Sequence, residues 1–375
     1  MIPLAKPYLT EEEAKAAHDV VLTNWVTQGP KVAEFEEKFA SYVGSKYAVA
    51  LSNCTTALHL SMIVAGVGKD DEVICPSMSY IATANAILYV GAKPVFAEVD
   101  PKTYNIDVKH AEKLITPKTK AVLIVHQIGM PADIDAFKVL CDKHNLKLIE
   151  DAACAAGSVY KGAKIGSHSE LVCFSFHPRK IITTGDGGMI TTSNEEYYHK
   201  LKLLRQHGMS INDQVRHSSN KILFEEHVVV GYNYRMTDIQ AAIGIKQLEK
   251  LNWIIVERRK IALQYLDAFK NIDSIVLPTE QEGYLSNYQS FSIYLKRNCK
   301  IGRNELMQEL LDKGISTRRG VMTSHREKAY LDLGYKLQLP ISEDASDRSI
   351  IIPLFIPMNQ SDVEFVIKEL IKLVY

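Results

Sequence analysis

The stretch CFSFHPRKIITTGDGGMITT, residues 173–192, sets a lysine between two strand-like runs. An apolar, aromatic run leads into His177, Pro178, Arg179 and Lys180, and the cluster Gly185-Asp186-Gly187-Gly188 opens the next run. A lysine in this setting has two readings. It is a solvated loop charge, or it is an amine that burial holds neutral, the nucleophile that forms a Schiff base with a carbonyl.

Outward from this stretch, short β-rich runs alternate with helix-length segments. The strand candidates are 46–52, 72–76, 93–99, 121–127, 147–152, 171–176 and 187–192, and helical patterns fill 55–67, 79–91 and 133–145. Continuous apolar strands separated by helices predict an α/β fold, a mostly parallel seven-stranded sheet covered on both faces. Ligands on such sheets sit beyond the carboxyl ends of the strands. From Thr237 the pattern becomes one long helix, capped by Thr237 and Asp238. A strand near 288–295, a helix over 303–312, ISTRR at 315–319 and a terminal helix over 361–373 follow. We therefore expect a large domain, 1–250, and a smaller C-terminal α/β domain, 251–375.

Three further segments place chemistry at strand ends. LIEDAACAAGS (148–158) ends an apolar run in Glu150-Asp151. A carboxylate there caps a helix or holds a protonated ring nitrogen, because burial demands a partner for its charge. LSNCTTALHL (51–60) opens a helix through Cys54, Thr55 and Thr56. Its first amides make either an ordinary cap or an anion site suited to phosphate. PSMSYIATAN (76–85) puts Tyr80 just after a strand, to pack in the core or to stack on a planar ring.

Several classes are excluded. Lys+Arg and Asp+Glu both total 44, so no net charge draws the chain to nucleic acid or an anionic membrane. No apolar run approaches the roughly 20 residues of a membrane span. The six cysteines form no CxxC pair, and the histidines, among them His126, His177 and His207, have no HxH or HExxH spacing, so no metal site is expected. A GxSxG elbow is absent, which excludes the commonest hydrolase pattern. The N-terminus lacks the apolar core of a signal peptide, and a cytoplasmic protein is expected.

The runs SFHPRKIITTGDGG, EDAACAAG and GYNYRMTDIQAAIG (231–244), in this order, resemble the DegT-type nucleotide-sugar aminotransferases, sugar 4-aminotransferases such as perosamine synthases among them. These are pyridoxal 5'-phosphate (PLP) enzymes of the aspartate-aminotransferase superfamily. The likeness runs from IPLAKPYLTEEE to IPLFIPMNQSDVEFVI. It implies that Lys180 is the Schiff-base lysine and Asp151 the partner of the pyridinium nitrogen. It places Tyr80 against the cofactor ring, Cys154 near its phenolic oxygen, and Cys54, Thr55 and Ser175 at its phosphate. Asn233 would reach that phosphate from a neighbouring subunit, so a homodimer is implied. Three positions depart from the common pattern: Cys54 for glycine, Cys154 for glutamine, and Asp186 for glutamate. Relatives with histidine at the lysine position are dehydratases; Lys180 argues against that reaction.

The resemblance further implies L-glutamate as amino donor and a nucleotide-linked 4-keto-6-deoxyhexose as acceptor, yielding a 4-amino sugar for a polysaccharide or glycan. The alternatives are amination of a 3-keto sugar, dehydration, and a non-catalytic PLP-fold regulatory or binding protein. Loops at Trp25–Lys31, Arg205–Arg216 and Arg318–Arg326 are candidate substrate contacts, against the reading that they are surface loops with solvated arginines.

Overall fold

In the computed structural model, residues 1–211 and 220–375 are described. The chain enters through two helices, α1 (Glu11–Leu22) and α2 (Pro30–Val43). At the start of α1 the Glu13 carboxylate accepts from the Thr10 amide, and the Thr10 hydroxyl accepts from the Glu12 amide. α2 has proline at its first position and ends at Gly44 with φ 77°.

A seven-stranded sheet follows. Its strands are β1 (Tyr47–Leu51), β2 (Glu72–Pro76), β3 (Lys93–Ala97), β4 (Thr119–Val125), β5 (Lys147–Asp151), β8 (Val172–Ser175) and β9 (Gly188–Thr192). The order across the sheet is β1-β9-β8-β5-β4-β2-β3. β3, β2, β4, β5 and β8 pair in parallel, while β9 runs antiparallel to both β8 and β1. Six strands therefore share a direction and one is reversed. Helices α3 (Cys54–Val64), α4 (Ala82–Tyr89), α5 (Val108–Lys113), α6 (Ile134–His144) and α7 (Glu195–Leu204) connect and cover the strands. Asn53, Asp107, Asp133 and Asn194 cap α3, α5, α6 and α7 through their side chains.

Alternation along the strands feeds two cores. Ala48, Ala50, Ile74, Val122, Ile124, Val172 and Phe174 pack with Phe35, Phe39 and Phe137 on one face. Val49, Leu51, Val73, Cys75, Leu123, Ile149 and Cys173 pack with Leu58, Leu60 and Ile87 on the other. A sheet buried on both faces explains why these strands read as unbroken apolar runs.

Helix α8 spans Asp238–Phe269 and continues through residue 250 without a break. Its first residue, Asp238, accepts from the amides of Gly29, Lys31 and Val32 and so caps α2 as well. Beyond it lies an antiparallel sheet of order β10-β12-β14-β13, made of Ile275–Val276, Phe291–Leu295, Ser349–Ile352 and Arg318–Arg319. Helices at Arg303–Asp312, Pro340–Arg348 and Gln360–Val374 accompany it. A three-stranded patch absent from the sequence reading joins β11 (Tyr284–Leu285) to β6 (Val159–Tyr160) and β7 (Ala163–Lys164). Two-residue strands carry too little pattern to be seen in a sequence. Among the described residues, no helix is long and apolar enough to cross a membrane.

Candidate active site

The carboxyl ends of four like-directed strands bring the singled-out residues together. β1 leads to Cys54 and Thr55, β2 to Tyr80, β5 ends at Asp151 before Cys154, and β8 ends at Ser175 before Lys180. At the middle, Lys180 Nζ donates to Cys154 Sγ at 3.3 Å. Burial pulls the Lys180 pKa down, but its neighbours Cys154, Asp151 and Cys54 outweigh this and leave it raised. The Cys54 thiol is pushed well up by burial and by Asp151, so it is uncharged near neutral pH. Of the two readings of this lysine, a solvated charge or an amine held neutral by burial, the raised pKa favours a charged amine, through Cys154, Asp151 and Cys54 within reach.

Asp151 is 5% exposed. No helix follows it, so it is not a helix cap; its Oδ1 accepts from the Ala153 amide at 3.1 Å. Its Oδ2 accepts from the Thr83 hydroxyl at 2.8 Å, and Thr83 and Ser79 hydroxyls lie 2.8 Å apart. With the Thr83 proton committed to Asp151, Ser79 donates to Thr83. This relay orients the carboxylate, and the sequence reading missed both of its members, although they flank Tyr80 in the quoted segment. Glu150 points to the opposite face by strand alternation. It is fully buried and bonds His126 Nε2 at 2.8 Å.

At the α3 end, the Asn53 side chain accepts from the Thr56 amide. The amides of Cys54 and Thr55 are first-turn donors without intrahelical acceptors, beside the positive end of the helix dipole. Gly188 lets β9 close against this turn: an added Cβ would stand 2.3 Å from the Asn53 carbonyl oxygen and 2.8 Å from the Cys54 amide. Ser175 is buried, and its Oγ accepts only a long 3.4 Å bond from the His177 amide. Tyr80 is 63% exposed, which excludes core packing and leaves its ring free to cover a ligand. Asn233 is exposed and its backbone bridges Gln206, while the carbonyl of the next residue, Tyr234, accepts from the Ser52 amide at 2.8 Å.

The C-terminal third closes the site from the other side. Met78 bridges Thr323, and the Ser324 amide donates to the Ser77 carbonyl. His325, 1% exposed, bonds Ser77 Oγ at 2.5 Å and Glu343 at 3.0 Å. Ser77 is fully buried, so this Ser-His-Glu array is a strut and no nucleophile. The Arg318 side chain is exposed, yet its guanidinium lies within electrostatic reach of Arg179, Tyr80 and Cys154, and partial desolvation with the repulsion of Arg179 lowers its pKa. Its loop-mates are engaged: Arg319 pairs with Glu327, and Arg326 grips Asp347 through two bonds.

Of the other proposed loops, Arg205 is buried on Glu36 and the Ala50 carbonyl, a structural role. Residues 212–216 of that loop lie outside the described residues. The Trp25–Lys31 loop packs on α8 through Asp238. A groove of about 840 Å³ between α1, α2 and α8 contains none of the clustered residues.

This donor set fits PLP. Lysine meets an aldehyde, a buried carboxylate meets a ring nitrogen, and a helix N-terminus with hydroxyls meets a phosphate. Fold and site together define a PLP-dependent aminotransferase. The chain belongs to the DegT/DnrJ/EryC1/StrS aminotransferase family, whose profile matches residues 7–371. It is 38% identical to the uncharacterized protein MJ1066 of Methanocaldococcus jannaschii, over 100% of this chain and 97% of that one. The aminotransferase TlmJ from Streptoalloteichus hindustanus superposes with a TM-score of 0.90 at 34% identity, over 98% and 97% of the two chains. Helicobacter pylori PseC, an aminotransferase of pseudoaminic acid biosynthesis, gives 0.91 at 29%, over 100% and 99%. DesV of S. venezuelae, solved with a ketimine intermediate, gives 0.89 at 30%, over 99% and 98%. The chain is thus a sugar aminotransferase by family, acting on a sugar substrate with an amino donor.

Proposed function

We propose that this enzyme moves the amino group of L-glutamate onto a nucleotide-linked 4-keto-6-deoxyhexose, giving a 4-amino sugar for polysaccharide or glycan assembly in the cytoplasm. The observation that carries the reading is the half-buried Lys180 amine in contact with Cys154 and within electrostatic reach of Asp151, at the strand ends that also present the N-terminus of α3.

When bound, PLP supplies an electrophilic carbonyl carbon and a ring that accepts electrons. Lys180 Nζ anchors that carbonyl. With the cofactor bound, the freed Lys180 amine would take the α-proton of the donor in one half-reaction and, as the ammonium, would supply a proton to the sugar carbon in the other. Asp151, aimed by Thr83, would partner the ring nitrogen. The first amides of α3, with the Thr55 and Ser175 hydroxyls, would hold the phosphate, and Tyr80 would cover the ring. Cys54 and Cys154 complete the lining; Cys154 Sγ offers Lys180 a weak acceptor where a glutamine would offer a stronger one.

Arg318 is the guanidinium we assign to the anionic part of a substrate, since the neighbouring arginines of its loop are already paired. Asn233 completes the phosphate site of the second subunit in a homodimer, a role its exposed position supports. The two-domain division at residue 250 falls inside α8, which serves as the shared spine.

The test is incubation of purified protein, PLP and glutamate with a panel of keto-sugar nucleotides, with products identified by mass and NMR. Nitrogen at C4 is expected. Nitrogen at C3, or a deoxygenated product without nitrogen, would replace this reading by one of its alternatives. An absence of glutamate-dependent bleaching of the bound cofactor would leave a binding protein.

A further inference from the structure

The contact between Lys180 and Cys154 is held from outside the strands that carry it. A single turn, Ser286–Gln289, grips the backbone on both sides of the pair. Asn287 is fully buried. Its Nδ2 donates to the Cys154 carbonyl at 2.9 Å and to the Ala156 carbonyl at 3.0 Å, and its Oδ1 accepts from the Gln289 amide at 2.8 Å. Gln289 Nε2 donates to the Arg179 carbonyl at 2.8 Å, one residue before the lysine. Every polar atom of the Asn287 side chain is thereby used on the frame of the site.

The turn itself is braced. Arg258 of α8 donates to the Tyr288 carbonyl at 2.9 Å and the Gln289 carbonyl at 2.7 Å, and Arg259 reaches the Ser286 carbonyl at 2.6 Å. Tyr288 takes the left-handed conformation, with φ 47°, which directs its two neighbours into the site wall. Gly129 leaves the space that Asn287 fills: a Cβ there would stand 2.0 Å from Asn287 Oδ1, at a φ of 99°. Ser158 closes the ring by donating to the Gly129 carbonyl and accepting from the Asn287 amide. Such a network is costly to leave unsatisfied and has few alternative arrangements.

We infer that Asn287 and Gln289 are positioning residues, which fix the separation of Lys180 Nζ from Cys154 Sγ by clamping the Cys154, Ala156 and Arg179 carbonyls to helix α8. The inference rests on Lys180 being the reactive amine. A misplacement near 1 Å in a catalytic group can cost on the order of 100-fold in rate. Loosening the turn should therefore lower kcat while leaving the KM of the amino donor nearly unchanged.

Four variants test this: Asn287→Ala, Gln289→Leu, Gln289→Lys, which retains a donor for the Arg179 carbonyl, and Lys180→Ala as reference. The first readout needs no cofactor. Alkylation of Cys154 by iodoacetamide, mapped by mass spectrometry with Cys299 as internal standard, should change at least about threefold in Asn287→Ala and Gln289→Leu, in the direction that Lys180→Ala moves it. It should return toward wild type in Gln289→Lys. The second readout is the pH titration of the visible band of the loaded protein, which should shift in the same two variants. Unaltered alkylation and an unaltered titration in Gln289→Leu overturn the inference, even where Asn287→Ala fails to fold. Borohydride trapping separates the two failures: a tag on Lys180 with unaffected variants sinks only the clamp, and a tag elsewhere sinks the reading of the lysine.

Discussion

Lys180 Nζ donates to Cys154 Sγ across 3.3 Å, and a buried carboxylate, Asp151, stands within reach of the same amine. Replacing Lys180 by alanine removes anchor, base and acid at once. We expect no borohydride-trapped cofactor in Lys180→Ala and a loss of transamination of at least 10²–10⁴-fold, roughly the worth of general acid–base catalysis. Peptide mapping and single-turnover absorbance check both; turnover near wild type would end the proposed mechanism.

The Asp151 carboxylate is aimed by one hydroxyl, Thr83 Oγ1 at 2.8 Å. Asp151→Asn should slow the donor half-reaction by about 10²–10³-fold, as loss of a preorganised electrostatic partner does. Thr83→Val keeps the volume and deletes the hydroxyl. It should cost on the order of 1.5–3 kcal/mol at that bond, the range for hydrogen bonds to charged groups. Stopped-flow measurement of the glutamate half-reaction decides; equal rates in all three proteins would reassign the ring-nitrogen partner.

Acid stability should carry the mark of Glu13. Burial raises its pKa, but bonds from Lys250, Thr10 and Gln247 outweigh that and bring it from an ordinary 4.5 to about 2. A carboxylate depressed in the folded state contributes stability that is complete above pH 4.5 and is lost as pH falls toward about 2. Melting temperature of the wild type should therefore fall across that window, and Glu13→Gln should start lower at neutral pH and slope less. Parallel curves for the two proteins would contradict the assignment.

If Asn233 completes a neighbouring phosphate site, Asn233→Ala should weaken PLP retention by roughly tenfold or more, the scale of a charge-assisted hydrogen bond. Equilibrium dialysis beside sedimentation tests it. A monomeric form with full activity would show that no second subunit is needed.

Much of this was legible before any coordinates. The parallel sheet declared itself because strands such as AVLIV at 121–125 are apolar on both faces, and Lys180, Asp151, Cys54 and Tyr80 were singled out because each stands at or beyond the end of a strand-like run. What stayed hidden depends on distance along the chain. Asn287 touches the carbonyls of Cys154 and Ala156 from more than 130 residues away. Neither it nor His325 stands in a pattern that advertises a contact. The charge state of Lys180 stayed open in the sequence for the same reason: burial can be read from neighbours along the chain, but Cys154 and Asp151, which raise its pKa, come from another strand and its turn.

His325, with one nitrogen on Ser77 and the other on Glu343, has an implication for how this enzyme could be cut or recombined. A fragment ending after the long helix would keep Lys180, Asp151 and helix α3. It would lose the imidazole behind the Tyr80 loop and the amides behind the Cys154 turn. The segment beyond the long helix supplies part of the wall behind Lys180 and Cys154, so exchanging it between relatives should disturb the chromophore before it alters the choice of sugar.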